Sequence, residues 1–483
     1  VIRGGTAGAI VRLGTPAAAD EPHPLAEEAA AKGALRKAGL AGGRGADRLN
    51  SRRRRFLQDL IWAGRRHAAL LERLGRLAGV EPSASDAAHA SSRWLGLLVF
   101  HGGLPLPSAA AAWGDRDPLD WDVFADPAHA LTGWVLAEEP TDVAVLATCC
   151  SLPESFARRL LDDHRGGVGA GRVLDADREA LDLLGDLAEP VLLARALKQR
   201  APLTLRVNTL RADREAALAA LADEGIEARP ARWTDTGLLV EGPRRNIQDT
   251  ATVRSGLVEV QDEGSVLLVD LLDPRPGETV LDACAGAGGK TLAIAARMGG
   301  EGELLALDTR PAALRELEKR ARRAGVTVRS VPVKGGALPK RVRGLAGRVD
   351  RVLLDVPCSG SGSVRRRPVG AKVSDRDVTS SARLQSELLR RHAPLVCPGG
   401  LLVYATCSVF RAENDDVVRA FLASPAGADF EPAPVADLLG AARAEQLGAG
   451  DVLRLLPHRH GTDGFFGAAL RRRNSEPAPG VDP

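Results

Sequence analysis

The chain has 483 residues, 45% hydrophobic and 26% charged, which is ordinary globular usage and excludes a wholly disordered or fibrous protein. At about 100–200 residues per domain, this length predicts two to four domains. The net charge of +3 averages unlike regions: residues 101–150 carry one basic and eight acidic side chains, whereas residues 301–400 carry 21 Lys and Arg against 10 Asp and Glu. The basic excess suits a polyanionic partner, with a set of solvated helix faces as the plainer alternative.

Val1 to Gly14 lacks the apolar core of a secretory signal, so none is expected. No stretch approaches the ~18 consecutive apolar residues of a membrane span. Six cysteines stand at 149, 150, 284, 358, 397 and 407, with no C-x-x-C pair. That pattern is too sparse for a disulfide scaffold or a zinc site, and predicts a reducing, cytoplasmic setting with no metal.

In chain order, the first ~140 residues read as helical. Between Arg52 and Arg76, Phe56, Leu57, Leu60, Ile61, His67, Leu70, Leu71 and Leu74 form a helical apolar stripe. The run Arg52 to Arg55 opposes the helix dipole, so helix stability does not explain it; it reads as solvated charge or as an RNA phosphate contact. Residues 101–127 are rich in Gly and Pro and predict loops, followed by a helix near 128–138. From about 151, a strand at Leu203 to Asn208, a helix at Asp213 to Glu224 and a strand at Gly237 to Val240 predict a small α+β domain.

From 251 onward, strands and helices alternate. Strands are expected at 279–283, 304–308, 326–333, 351–355 and 401–404, and helices at 290–298, 312–324, 380–393 and 413–422. Segments 452–456 and 465–470 suit a terminal hairpin. This alternation predicts an α/β, doubly wound, mostly parallel sheet, whose ligands bind beyond the carboxyl ends of its strands.

Three segments after predicted strands carry chemistry. In the first, Asp282 to Thr291, the loop Cys284, Ala285, Gly286, Ala287, Gly288, Gly289 and Lys290 leads from strand to helix. Its glycines permit a tight turn and close backbone approach to a ligand. It is not a phosphate-binding P-loop, because Cys284 stands where the first glycine is required. Asp308 ends the next strand, where an acidic residue commonly holds a ribose, which points to a nucleoside cofactor; the alternative is a cap on the next turn. The second segment is Asp355-Val-Pro-Cys-Ser-Gly360, containing Cys358. The third is Tyr404-Ala-Thr-Cys-Ser408, containing Cys407. Buried structural thiols are the usual reading of such cysteines. Here both precede Ser and end strands of one sheet, where a thiolate can serve as nucleophile.

On these motifs the chain resembles the RNA cytosine-C5 methyltransferases, in particular the RsmB-type 16S rRNA enzymes. The carriers are Asp282 to Thr291, Asp355 to Gly360 and Tyr404 to Ser408, with Gln261 to Ser265, Asp463 to Phe466, Leu205 to Asn208 and Arg53 to Leu57 in support. The resemblance implies three domains: a NusB-like helical RNA-binding domain over 15–145, a small α+β (RRM-like) domain over 151–250, and a Rossmann-like catalytic domain over 251–474. It implies S-adenosylmethionine as cofactor, held by residues 284–290, Asp308, Gly335 and Asp355. It implies Cys407 as the nucleophile toward cytosine C6, Cys358 as the group assisting C5 proton loss, and Asp355 on the N3/N4 edge. The implied partner is ribosomal RNA, or else tRNA, met by a monomer without membrane or metal. Ala287 replaces the motif's proline, Gly335 stands where the family has Asp, and Val369 to Val373 lacks the usual Asp and Trp. Those departures leave a catalytically weakened ribosome-assembly factor as the alternative. A DNA methyltransferase is disfavoured, because those enzymes use the P-C cysteine as nucleophile.

Overall fold

The computed structural model describes residues 119–138, 140–166, 184–242, 246–366 and 373–474, shorter stretches at 66–80, 95–99 and 106–113, and positions 11, 63, 92 and 93. Arg52 to Arg55, most of the stripe before Ala68, Arg367 and the departures at 369–372 lie outside the described residues. Contacts divide the chain into two units, one formed by residues up to Gln199 with 364–374, the other by Arg200–Ser363 with the rest.

The first unit is helical where described. Helices α1 (Ala68–Leu77), α2 (Pro127–Glu138), α3 (Asp142–Cys149), α4 (Glu154–His164) and α5 (Ala188–Lys198) carry it. The expected stripe is real in α1, where Leu70, Leu71 and Leu74 are buried. Helix α3 packs on α1 and α4, and α4 packs on α5. Thr141 starts α3 by accepting the Ala144 N–H on its hydroxyl, as N-cap threonines do. After the second cysteine-bearing segment, Arg365 is buried and Arg366 half-buried.

The second unit opens with β1 (Leu203–Val207), α6 (Arg214–Asp223), β2 (Ala228–Pro230), β3 (Gly237–Val240), the short α7 (Ala251–Arg254) and β4 (Val258–Val260). The strands form an antiparallel sheet in the order β2-β3-β1-β4. This is the expected small α+β fold, with Leu205, Val207, Ala217, Leu221 and Leu238 in its core.

A larger sheet follows helix α8 (Glu263–Leu272). In chain order it comprises β5 (Thr279–Asp282), α9 (Gly289–Arg297), β6 (Glu303–Asp308), α10 (Pro311–Ala324), β7 (Arg329–Pro332), α11 (Lys340–Arg343), β8 (Val349–Asp355), α12 (Asp375–His392), β9 (Val396–Thr406), α13 (Asp415–Leu422), β10 (Phe430–Pro432), β11 (Val452–Leu455) and β12 (Phe465–Arg472). Strand order is β10-β12-β9-β8-β5-β6-β7, with β11 on β12. The pairs among β5 to β9 are parallel, as expected, and β12 runs antiparallel to β9, β10 and β11. Both faces are covered, so side chains alternate between two cores: Val280, Leu353, Leu401 and Val403 on one side, Leu281, Leu354, Leu402 and Tyr404 on the other. Strand order reverses about β5, which places a crevice beyond the ends of β5, β6 and β8.

The two sheets of this unit are joined by buried polar groups. Arg206 Nε donates to Gln261 Oε1 at 2.8 Å, and Asn208 Nδ2 donates to the carbonyls of Gly256 and Ala324 at 3.0 and 2.9 Å. Glu259 on β4, 4% exposed, pairs with Arg320 and Arg323 on α10 at 2.9 and 2.5 Å. Motif residues Arg206, Asn208 and Gln261 thus have structural work at this junction. Among the described residues no helix is long and apolar enough to cross a membrane.

Candidate active site

The glycine loop leaves β5 and enters α9. Ala285 N–H bonds to Leu307 O at 2.8 Å, which ties the loop to β6. Gly288 takes φ +87° as the N-cap of α9, and a Cβ there would lie 2.6 Å from Leu317 Cγ. Only glycine serves where positive φ and tight packing coincide. A Cβ built on Gly289 meets nothing within 4 Å, so the loop faces open space there. Ala287 offers its carbonyl to Arg320 Nη1 at 2.8 Å. Burial raises the Cys284 thiol well above its ordinary value, so it is no nucleophile at neutral pH.

Asp308 ends β6, buried at 8% exposure. Its Oδ2 accepts the Gly286 N–H and its Oδ1 the Arg310 N–H, both at 2.8 Å. It therefore does cap the next turn; Oδ1 also accepts Arg310 Nε at 3.3 Å, while Oδ2 keeps a second lone pair for a ligand hydroxyl. Val333 N–H bonds to Asp308 O, so β7 ends alongside β6. Gly335, in the turn beyond β7, is exposed with φ +59° and nothing within 4 Å of a built Cβ. The loop and Asp308 come together; Gly335 contributes backbone only.

The two cysteine segments end β8 and β9, parallel neighbours paired Asp355 to Ala405. Cys358 Sγ and Cys407 Sγ lie 3.2 Å apart, and both thiols are free. The Cys358 S–H acts chiefly to lower the Cys407 thiol. Burial and Asp355 oppose that shift, and Lys290 and Ser363 assist it. The same S–H···S hydrogen bond, then burial, Cys407 and Glu413, raises Cys358. Of the two thiols, Cys407 is therefore the one that ionises more readily and Cys358 the one that holds its proton more tightly. Lys290 Nζ, on the glycine loop, bonds to Asp355 Oδ2 at 2.7 Å and so links the loop to the thiol pair. Burial opposes the Lys290 charge most, but Asp355 through its charge and hydrogen bond, together with Cys407 and Asp282, outweighs it and the ammonium is favoured. Asp282, fully buried, is pushed up to about 7 by desolvation, with a Thr291 hydroxyl bond acting against the shift.

Glu413, Gln385 and the serines after each cysteine surround the pair, and sequence reasoning assigned no role to Glu413 or Gln385. Gln385 Nε2 donates to Pro357 O at 2.9 Å, just before Cys358. Nothing in the spacing marks these residues: Glu413 opens the polar run Glu-Asn-Asp-Asp416, which reads simply as the start of a helix. The loops also interlock by backbone: Gly362 N–H bonds to Cys407 O, and Gly464 N–H to Gly362 O, both at 2.9 Å. Asp463 N–H reaches the Asp262 carboxylate at 3.3 Å, so the segments at 261–265 and 463–466 meet beside the site.

Comparison with known proteins bears on this arrangement. A family profile described as "16S rRNA methyltransferase RsmB/F" matches residues 269–471, and one described as "Methyltr_RsmF/B-like, ferredoxin-like domain" matches residues 191–248. A probable ribosomal RNA small subunit methyltransferase B of Bacillus subtilis is 37% identical over 275 residues, 56% of this chain and 60% of that protein. Its namesake in Synechocystis is 34% identical over 322 residues, 66% of this chain and 71% of that protein. The match thus spans about three fifths of the first relative's length. The crystal structure of PH0851 superposes with a TM-score of 0.66 and 25% identity, covering 94% of this chain and 100% of that one. By the profile over its large sheet and the span shared with the Synechocystis protein, the chain belongs to the RsmB/F family of 16S rRNA methyltransferases.

Proposed function

We propose that this protein transfers a methyl group from S-adenosylmethionine to C5 of a cytosine in ribosomal RNA, most specifically 16S rRNA, in the cytoplasm. The observation that carries the reading is the pair of free thiols 3.2 Å apart at the ends of adjacent strands, with Lys290 and Asp355 between them and the glycine loop. The printed names of the relatives support the ribosomal target. Residues 15–145 are assigned to RNA binding, the small sheet between Leu203 and Val260 (the expected 151–250 domain without its helical first part) to linking, and the large sheet through 474 to catalysis.

The glycine loop fits the cofactor. It opens on free space at Gly289, and Asp308 keeps acceptor capacity for a ribose. Residues 284–290 would hold S-adenosylmethionine with Asp308, the Gly335 backbone and Asp355. Bound there, it supplies an electrophilic methyl group.

Cytosine C5 is a weak nucleophile until C6 is attacked. The Cys407 thiolate forms a bond to C6, and the displaced electron pair moves toward the N3/N4 edge, where the Lys290 ammonium stabilises it while Asp355 accepts the N4 amino hydrogen. C5 is then enamine-like and accepts the methyl. Once the Cys407 charge is consumed in the C–S bond, Cys358 loses the thiolate that held its proton. Its proton can then pass to solvent, and the resulting thiolate takes the C5 proton as the C6–S bond breaks and its electron pair returns to Cys407. A paired base cannot reach these sulfurs, so the target is unpaired or extruded.

The test is methyl transfer to ribosomal RNA by purified variants. Cys407→Ala is expected to abolish transfer, and Cys358→Ala to accumulate a covalent RNA–protein adduct. Full activity in Cys407→Ala would sink the assignment. Bisulfite sequencing of RNA from cells with and without the gene locates the cytosine.

A further inference from the structure

Glu413 lies on the turn Arg411–Glu413 after β9 and is 0% exposed. Its Oε1 accepts the Ser359 N–H at 2.7 Å and Gln385 Nε2 at 3.3 Å; its Oε2 accepts the Ser359 and Ser408 hydroxyls, each at 2.5 Å. Ser359 follows Cys358 and Ser408 follows Cys407, so one carboxylate grips both cysteine loops. Its own carbonyl accepts the Tyr404 hydroxyl at 2.5 Å, which anchors the turn to β9. Asn414 extends the grip, donating to Ser408 O at 2.9 Å and meeting Thr406 Oγ1 at 2.6 Å. Charge-assisted bonds of this length are the strong ones, and four donors converge on this one buried carboxylate. Among the described residues no cation pairs with it.

We propose that Glu413 is a positioning residue for the thiol pair: its carboxylate staples the two cysteine loops together and, as a buried negative charge beside Cys358, decides which sulfur is the nucleophile. On the other flank, Asp355 and Lys290 act on Cys407 with opposite signs. Cys358 thus faces the Glu413 charge, while the charges near Cys407 offset one another, so Cys407 is the thiol that ionises more readily. Packing alone would not need a charged group here, since an apolar side chain fills such a place without the cost of burying a carboxylate.

The proposal rests on reading these cysteines as the reacting pair, but its test needs neither RNA nor cofactor. The full chain is treated with limiting iodoacetamide at neutral pH, and alkylation at each cysteine is followed by peptide mass spectrometry. The wild type is expected to react at Cys407 at least about tenfold faster than at Cys358, tenfold being what one unit of pKa difference produces. Glu413→Gln keeps the shape but not the charge, and that ratio is expected to fall by about tenfold. Glu413→Asp retains the charge and is expected to restore most of it. Ser359→Ala with Ser408→Ala removes the staple and keeps the charge. In that variant, oxidation of the two thiols to a disulfide by diamide, which takes up both electrons and both protons, is expected to slow several-fold.

Wild-type selectivity in a folded Glu413→Gln protein overturns the electrostatic role. Wild-type cross-linking in the serine variant overturns the staple, and does so even if Glu413→Gln fails to fold. Should Cys407→Ala retain methyl transfer while selectivity still follows Glu413, the functional assignment falls and the positioning role stands.

Discussion

Alanine substitutions at three glycines separate backbone strain from steric overlap around the glycine loop. At Gly288 the φ of +87° imposes a left-handed backbone, which costs about 1–2 kcal/mol for a residue with a Cβ. That Cβ would also lie 2.6, 3.1 and 3.2 Å from Cγ, Cδ1 and Cβ of Leu317. Leu317 is fully buried against Ala285, Leu292, Ala306 and Leu314 and has nowhere to retreat. Overpacking such a core costs about 1–3 kcal/mol, so Gly288→Ala is expected to lose about 2–5 kcal/mol in all. Gly300 has φ +78° with nothing within 4 Å, and its variant isolates the strain at about 1–2 kcal/mol. Gly289 has neither problem, and Ala there gains up to about 1 kcal/mol of helix propensity. Urea unfolding followed by far-ultraviolet circular dichroism reads the three variants, with peptide-resolved hydrogen exchange over 280–325 reporting local loss. Equal stability at 288 and 289, or a loss at 288 no larger than at 300, would refute the reasoning.

Other consequences are as specific. The Cys358 S–H is the main reason that Cys407 ionises readily, so in Cys358→Ala the alkylation profile of Cys407 moves to higher pH, and Lys290→Met moves it the same way; a downward shift would contradict the charge assignment. Burial holds His392 down to about 4, with its ring nitrogen bonded to Leu388 O. The folded value lies below the unfolded one, so the contribution is complete above pH 6.5 and is lost as pH falls toward 4. It amounts to about 3 kcal/mol, and urea midpoints should favour His392→Gln over the wild type progressively across that window. Glu259→Gln strands two arginines at the junction of the sheets and is expected to cost about 3 kcal/mol or more, because breaking one side of a buried ion pair leaves uncompensated charge. Limited proteolysis near Gln261 should then quicken; an unchanged urea midpoint would show that the junction does not depend on this carboxylate.

Much of the fold is legible in local pattern. Gly325 ends α10 in a left-handed cap, Asp213 caps α6 through the Ala216 N–H, and the short apolar run Leu401 to Tyr404 reads as a strand. The glycine loop and both cysteine segments stand at strand ends, where their composition placed them. Each of these signals lies within a few residues, because turns, caps and side-chain periodicity are short-range matters.

The sequence by itself therefore determined the elements, the α/β layering and the candidate chemistry of Cys358, Cys407, Asp355 and the glycine loop. It did not show which groups meet. Lys290 and Asp355 are 65 positions apart, the two cysteines 49, Ser359 and Glu413 54, and Asn208 and Ala324 116. Those meetings follow from the order of strands, which sets β8 between β5 and β9 and seats the turn at 411–413 over both loops. The same arrangement decides which thiol carries the charge, because ionisation responds to burial and to charges within a few ångströms, whatever their distance along the chain.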